Sequence, residues 1–393
     1  MKGSELLRVI GAQVCLHATM AGMRLATPLL ALQQGYSAAA IGVLIALFAL
    51  TQVFLALPAG RFADRHGFKR PLLLSVIAAS LGAGLVWAFP VFPAMCVAAL
   101  LTGGATGATV IALQRHVGRS ATTPTELKRV FSWLAIAPAV ANFVGPFLAG
   151  LLIDHAGRAA ADMLAFRVCF AAMALLPVLC WLMARGAHEP PPTPPPPPGA
   201  ARTRAWDLLR EPMFRRLLFV NWLQSSSWDV HAFVLPVLGH ERGISASVIG
   251  SILGAFAIAA AVIRIVLPAI ASRASERSVI FVSTLVTVGV FLVYPLLPSA
   301  LSMGVCSVVL GFALGAVQPM VMSMLHQITP HSRHGEALGL RLMTINASSV
   351  AMPMLFGSLG ALIGIGGVFW VVGGVVALGA RATWGLKVRE EGA

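Results

Sequence analysis

Residues 60–71 read Gly-Arg-Phe-Ala-Asp-Arg-His-Gly-Phe-Lys-Arg-Pro. One acid, Asp64, stands among Arg61, Arg65, Lys69 and Arg70, with Gly60 before the charged residues and Gly67 between Arg65 and Lys69. Apolar runs lie on both sides, over 38–60 and 71–89. About 20 apolar residues suffice to cross the roughly 30 Å hydrocarbon core of a bilayer. A short charged turn between two such runs predicts two membrane-crossing helices joined at one membrane face.

The same pattern extends along the chain. Further runs cover 8–31, 92–114, 130–153, 164–184, 215–238, 245–268, 278–297, 301–325, 338–361 and 366–384, making twelve in all. The first is too long for a signal-peptide core and lacks a small-residue cleavage site, so it is expected to be a retained helix. Hydrophobic residues make up 58% of the 393 positions and charged residues 11%. Soluble domains carry about 25% charged residues, which excludes a soluble multi-domain enzyme and a disordered chain.

The formal charge of +14 would suit a nucleic-acid binder, but the placement of the charges argues otherwise. With the N-terminus inside, the inner segments hold Lys2, Arg8, the 61–70 cluster, Arg115, Arg119, Lys128, Arg129, the arginines from 185 to 216, Arg273, Arg277, Arg333, Arg381, Lys387 and Arg389. The outer loops hold Arg158 and Arg242. This asymmetry follows the positive-inside rule. It predicts a multi-pass protein of a bacterial inner membrane with both termini cytoplasmic, and a basic face turned to anionic lipid. No nucleic-acid partner is expected, and a monomer is. The five cysteines (Cys15, Cys96, Cys169, Cys180, Cys306) are scattered in apolar runs. Neither metal site nor disulfide nor cofactor is expected from them.

The two halves of the sequence match when one is shifted by 208. Arg8 pairs with Arg216, Pro28 with Pro236, Gly35 with Gly243, Phe48 with Phe256, Gly103 with Gly311 and Gly107 with Gly315. After one residue of slippage, Pro146 pairs with Pro353 and Gly150 with Gly357. Six helices per half make the repeat parallel, with both halves oriented alike. Such repeats suit a site near the bilayer midplane and alternating access. The expected organisation is an N-terminal half at 1–187, a cytoplasmic linker at 188–213 and a C-terminal half at 214–393. Nearly continuous proline from Pro190 to Pro198 makes that linker a semi-rigid polyproline spacer.

The 60–71 stretch resembles the signature between the second and third helices of the major facilitator superfamily. The resemblance is carried by Gly60, Asp64, Arg65, Gly67, Lys69 and Arg70, and by their place in a twelve-helix chain. It implies an all-α membrane protein of twelve transmembrane helices in two parallel six-helix pseudo-repeats. In that superfamily the cluster latches the halves in one access state, which makes Asp64 the latch acid and Arg65 its neighbour. The second copy, Ser-Arg-Ala-Ser-Glu-Arg at 272–277, keeps basic residues but reads as having lost the acid and both glycines. In the fifth helix, residues 139–154 resemble the Gly-Pro motif of the drug/proton antiporter branch through Gly145, Pro146 and Gly150. Ala141 and Ala149 stand where glycine is usual. Small residues there also serve simple close packing. The arginine that branch often carries in its fourth helix is absent, Ala99 or Leu100 standing in its place.

Intramembrane ionisable groups are functional candidates by default. Asp229 is the acid lying well inside a helix, and Arg24 lies at nearly the same depth on the pseudo-equivalent first helix. The two are expected to interact directly or through substrate, with His17 and His231 as further titratable candidates. A static ion pair and hydrogen-bonded structural histidines are the competing readings. Gln13, His17, Met20 and Arg24 recur at helical spacing, as do Asn221, Gln224, Ser225, Trp228 and Asp229. These, with Gln318, are expected to line a cavity, whereas Arg264 and Arg341 read as snorkelling near helix ends. No phosphate loop, nucleophile elbow or zinc-protease pattern appears in the sequence, so no enzyme activity is expected. The expected function is proton-coupled efflux of small amphipathic or drug-like compounds. The alternatives are an uptake permease for an organic anion or sugar, and a lipid translocase.

Overall fold

The computed structural model describes residues 3–36, 38–157, 162–189, 205–244, 246–270 and 275–386. The proline-rich centre of the expected linker, and residues 272–274 of the second signature copy, lie outside these. Thirteen α-helices account for nearly all the described residues: α1 Gly3–Gln33, α2 Ala38–His66, α3 Lys69–Ala88, α4 Phe92–Ser120, α5 Pro124–Leu134, α6 Ile136–His155 and α7 Met163–Ala184. The second set is α8 Pro212–Glu241, α9 Ala246–Ile270, α10 Glu276–Val293, α11 Ala300–Ile328, α12 His334–Ile363 and α13 Ile365–Trp384. The helices α5 and α6 share one of the twelve apolar runs, interrupted at Ala135. Ten of the described segments are long and apolar enough to cross a membrane. The helices α8 and α12, which carry more polar residues, are 30 residues each.

The helix ends follow from local chemistry. Gly35 and Gly243, repeat partners, both take positive φ, +81° and +69°. At each, the following residue donates its N–H five residues back, Tyr36 to Ala31 and Ile244 to Gly239. This is the Schellman ending that glycine permits. Thr123, Asp162, Ser275 and Ser299 cap the starts of α5, α7, α10 and α11 with side-chain oxygens.

The repeat is visible in the packing. In the first set α1 packs on α4, α6 and α7, and α4 on α2 and α3; in the second α8 packs on α11 and α13, and α11 on α9 and α10. A Cβ on Gly103 would strike the Phe48 carbonyl, and one on Gly311 the carbonyl of Phe256, the repeat partner of Phe48. These glycines let α4 and α11 lie directly against the backbones of α2 and α9. In lipid, where apolar side chains gain nothing by leaving solvent, such close approach is what holds helices together. Long apolar side chains point outward along the helices, with Leu301, Leu362 and Leu378 about four-fifths exposed or more. That exterior suits hydrocarbon, and the chain is a multi-pass membrane protein.

The chain divides into two compact units. One comprises 1–121, 136–201 and 331–346; the other comprises 122–135, 202–330 and 347–393. The start of α12 thus packs with helices of the N-terminal half, while α5 packs with helices of the C-terminal half.

Candidate functional site

In the first unit, the signature stretch ends α2, turns at Gly67 and begins α3. Asp64 is buried, 7% exposed, and is met from two sides. Arg115 of α4 donates its Nε to Oδ1 at 2.6 Å and its Nη2 to the Asp64 carbonyl at 3.2 Å. The backbone N–H groups of Gly335 and Glu336, at the start of α12, donate to Oδ1 and Oδ2 at 2.9 and 3.1 Å. The carboxylate therefore sits on a helix N-terminus, where unpaired N–H groups and the positive end of the dipole favour an anion. The expected neighbour, Arg65, is instead exposed. The buried partner is Arg115, which the sequence presented only as one more basic residue of that face.

The glycines of the signature have separate tasks. Gly60 on α2 lies against Gly335 on α12, so that a Cβ on either would collide with the other's carbonyl. One turn further along, Gly339 lies against Ala56 in the same way. Gly67 has φ +72°, and the space its Cβ would fill holds the carboxylate of Glu189. Glu189 accepts the N–H groups of Phe68 and Lys69 at 2.6 and 3.3 Å, capping α3 from the far end of the first half. Glu336 pairs with Arg61 and Arg333, each at 2.8 Å. Lys69 is half-buried and Arg70 exposed.

In the second unit, Ser272 stands in the repeat position of Asp64, and a different acid four residues on is buried. Glu276, in the first turn of α10, is 7% exposed. It accepts hydrogen bonds from Ser323 at 2.9 Å and Gln327 at 2.7 Å, both on α11, and pairs with Lys128 of α5 at 3.4 Å. The acid stands on the next helix, so a linear comparison of the two copies misses it. Arg264 of α9 is also buried, contrary to a snorkelling role. It donates to the carbonyl of Ala135, freed by the break between α5 and α6, at 3.0 Å, and to that of Gly315 at 3.3 Å. Arg341 is buried as well.

The α6 motif is a packing seam. Its buried positions are Ala137, Ala141, Gly145, Ala149 and Ile153, every fourth residue. A Cβ on Gly145 would enter the Ala18 carbonyl of α1. The alanines standing where glycine is usual lie on this seam, whereas Gly150 has open space beside it. Pro146 lies within the helix without ending it.

The polar stripes on α1 and α8 are largely enclosed. Gln13 and Asn221, repeat partners, are 1% and 0% exposed, and neither amide finds a hydrogen-bond partner among the described residues. His17 interacts with Asn142 on α6. Gln224 donates to Thr284 at 2.8 Å. Asp229 is half-buried, with the Ser349 hydroxyl 3.4 Å from both carboxylate oxygens. Trp228 stands edge-on to Phe256, and the Arg264 guanidinium lies 5.8 Å from its ring centre. His231 is fully buried, stacked on Phe256 and bonded through Nε2 to Ser307 at 2.9 Å, which in turn meets the Tyr294 hydroxyl at 2.8 Å. Ser225 is buried and Gln318 half-buried, while Arg24 is exposed on α1.

A family model described as Major Facilitator Superfamily matches residues 9–223 and again 217–392. The chain belongs to the Major Facilitator Superfamily. This superfamily member is a transporter rather than an enzyme. The tetracycline resistance protein, class D, of Salmonella ordonez is 26% identical over 326 residues, covering 80% of this chain and 78% of that protein. The efflux pump azaK of Aspergillus niger is 31% identical over 116 residues, 30% of this chain. That match spans 24% of azaK's own length. Among solved structures, the human organic anion transporter MFSD10 (TETRAN) superposes with a TM-score of 0.77 at 17% identity, over 98% of this chain and 100% of that one. At that identity the likeness concerns the fold.

Proposed function

We propose that this superfamily transporter is a proton-coupled exporter of small amphipathic or drug-like compounds. It works by alternating access in a bacterial inner membrane, with both termini in the cytoplasm. The observation that carries the reading is Asp229: a carboxylate in the middle of a membrane helix, half-enclosed and met, among the described residues, by the weak neutral donor Ser349 rather than by an opposing charge. An intramembrane acid of this kind exchanges protons without dismantling an ion pair. The printed names of the relatives, a tetracycline resistance protein and an efflux pump, support export. The excess of basic residues at the signature-loop end supports the orientation. In the first unit substrate contact is assigned to His17 and Arg24 on α1; in the second it is assigned to Trp228 on α8 and Gln318 on α11, with Gln13, Asn221, Gln224 and Ser225, enclosed here, packed behind these positions in their own units. His231 belongs to the shell that orients α8. Asp64 and Arg115 hold the start of α12 and so stabilise one access state.

A second reading, transport of an organic anion, is favoured by Arg24, an exposed guanidinium on a helix that is otherwise apolar or neutral at that depth. Proteoliposomes with an imposed pH gradient and a panel of cationic, neutral and anionic compounds separate the two. Wild-type protein is expected to move cationic or neutral amphipaths against their gradient at the expense of the proton gradient. Asp229→Asn is expected to abolish that uphill movement while the protein keeps its elution profile and melting temperature. Full coupled transport by Asp229→Asn would overturn the proposal.

A further inference from the structure

We propose that a lipid-facing groove of the second unit is a tail subsite for single-chain amphipathic cations whose charged head is met by Asp229; it rests on the efflux reading above and narrows its substrate class. The groove lies between α8, α12 and α13, entirely within the second unit. Its volume is about 400 Å³, within the ~300–1,000 Å³ of small-molecule sites. Helix α8 contributes Trp222, Leu223 and Ser226, α12 contributes residues between 352 and 362, and α13 contributes valines between 371 and 376. Apart from Ser226, every lining side chain is aliphatic, aromatic or a thioether, and the Ser226 hydroxyl is engaged by Ser348 at 3.1 Å. Leu355, Leu362, Val371 and Val375 are exposed, so the groove opens sideways to hydrocarbon. Such walls offer a polar solute no hydrogen bond and suit an alkyl chain.

The charged end follows from helical spacing. On α8, Trp222, Ser226 and Asp229 stand at i, i+4 and i+7, and on α12 Ser349, Met352 and Phe356 stand at i, i+3 and i+7. Residues so spaced share one stripe of a helix. The Asp229 carboxylate, 3.4 Å from the Ser349 hydroxyl, therefore joins the two stripes one turn beyond the groove's lining. Among the described residues it has no cationic partner. It also lies deep, 12 residues before the end of α8 at Glu241, which is about 18 Å of helix. A phospholipid keeps its headgroup at the interface and carries a phosphate that the carboxylate repels. It can lay a chain in the groove but cannot engage the acid. A single-chain ammonium does both, and pairs with the carboxylate at a depth where an isolated charge is costly. In lipid, a chain gains little by exchanging hydrocarbon for side chains. The charge pair therefore supplies the preference, and the groove selects for an extended tail.

The test is photolabelling of the whole protein in zwitterionic nanodiscs at mildly alkaline pH, with no gradient. Two probes share a dodecyl chain ending in a diazirine, one headed by trimethylammonium and the other by a hydroxyl. Cross-links are mapped by peptide mass spectrometry. The ammonium probe is expected to label Met352, Leu355, Leu359, Val371 and Val375 at least about fivefold more than the alcohol, the gain a charge pair at contact makes even in a water-like medium. Asp229→Asn is expected to bring the ammonium probe down to the level of the alcohol. Leu355→Trp on α12 and Val375→Trp on α13 are each expected to remove groove labelling by both probes. Both positions face lipid, so neither substitution enters the packed interior. Equal labelling of the groove by the two probes, indifferent to Asp229→Asn, would make it a lipid-chain site and overturn the proposal. So would cross-links confined to positions outside the groove. Only binding is read, so transport without groove labelling counts against this proposal alone, and groove labelling without proton-coupled transport counts against the efflux reading alone.

Discussion

At the scale of the residue, Asp64 shows how a carboxylate is kept inside a membrane protein. It faces one guanidinium and two backbone N–H groups, and each oxygen has a donor. Arg115→Ala removes the buried partner and leaves the acid with backbone donors alone. It is expected to cost about 3 kcal/mol and to lower the melting temperature in detergent, with transport lost. Arg65→Ala, at an exposed position, is expected to leave both nearly unchanged. The comparison tests whether the signature's arginine or the buried one holds the acid. The signature acid was legible in the sequence because its spacing to Gly60 and Gly67 is local. Arg115 was not, because it lies 51 residues away and only the packing of α4 on α2 brings it to Asp64. Glu276 was missed for a related reason. Its role is set by which helix end it occupies, not by its place in a short pattern.

At the scale of the element, helix contacts are governed by small residues. The seam of α6 was visible as a Gly-Pro motif, yet the structure assigns the contact to Gly145 with Ala137, Ala141 and Ala149 and leaves Gly150 beside open space. Four-residue spacing places the first set on one helical stripe, and Gly150 falls off it. Gly145→Val should force α6 from α1, with an overpacking cost of about 1–3 kcal/mol and a matching fall in thermal midpoint. Gly150→Val should be tolerated in the same melt. A larger loss at Gly150 than at Gly145 would contradict the seam. The break at Ala135 is likewise an element-level feature. The carbonyl it frees is answered by Arg264, which explains why that arginine is buried rather than reaching for the membrane surface.

At the scale of the whole molecule, the two compact units exchange segments. Residues 122–135 come from the first half of the sequence and belong to the second unit, and 331–346 do the reverse. Each half expressed alone lacks a segment that completes its unit, and exposes the glycine or ionic surface that segment covers. Chains cut within the proline stretch and produced together are therefore expected to co-purify as a folded pair. Either piece produced alone is expected to aggregate or be degraded. Stable, monodisperse isolated halves would contradict this reading of the exchange.

The sequence by itself determined the all-helical membrane class, the approximate places of the apolar runs, the twofold repeat and the superfamily. Each of these rests on properties that survive in one dimension: hydropathy over about 20 residues, the placement of arginine, and glycine and proline kept in register. Only the tertiary structure decided which charges meet. Arg115 rather than Arg65 holds Asp64, Lys128 holds Glu276, and Glu189 fills the space beside Gly67. Electrostatic partnership depends on a few ångströms of separation and on burial. In a bundle of parallel rods, both are set by neighbours distant in the chain.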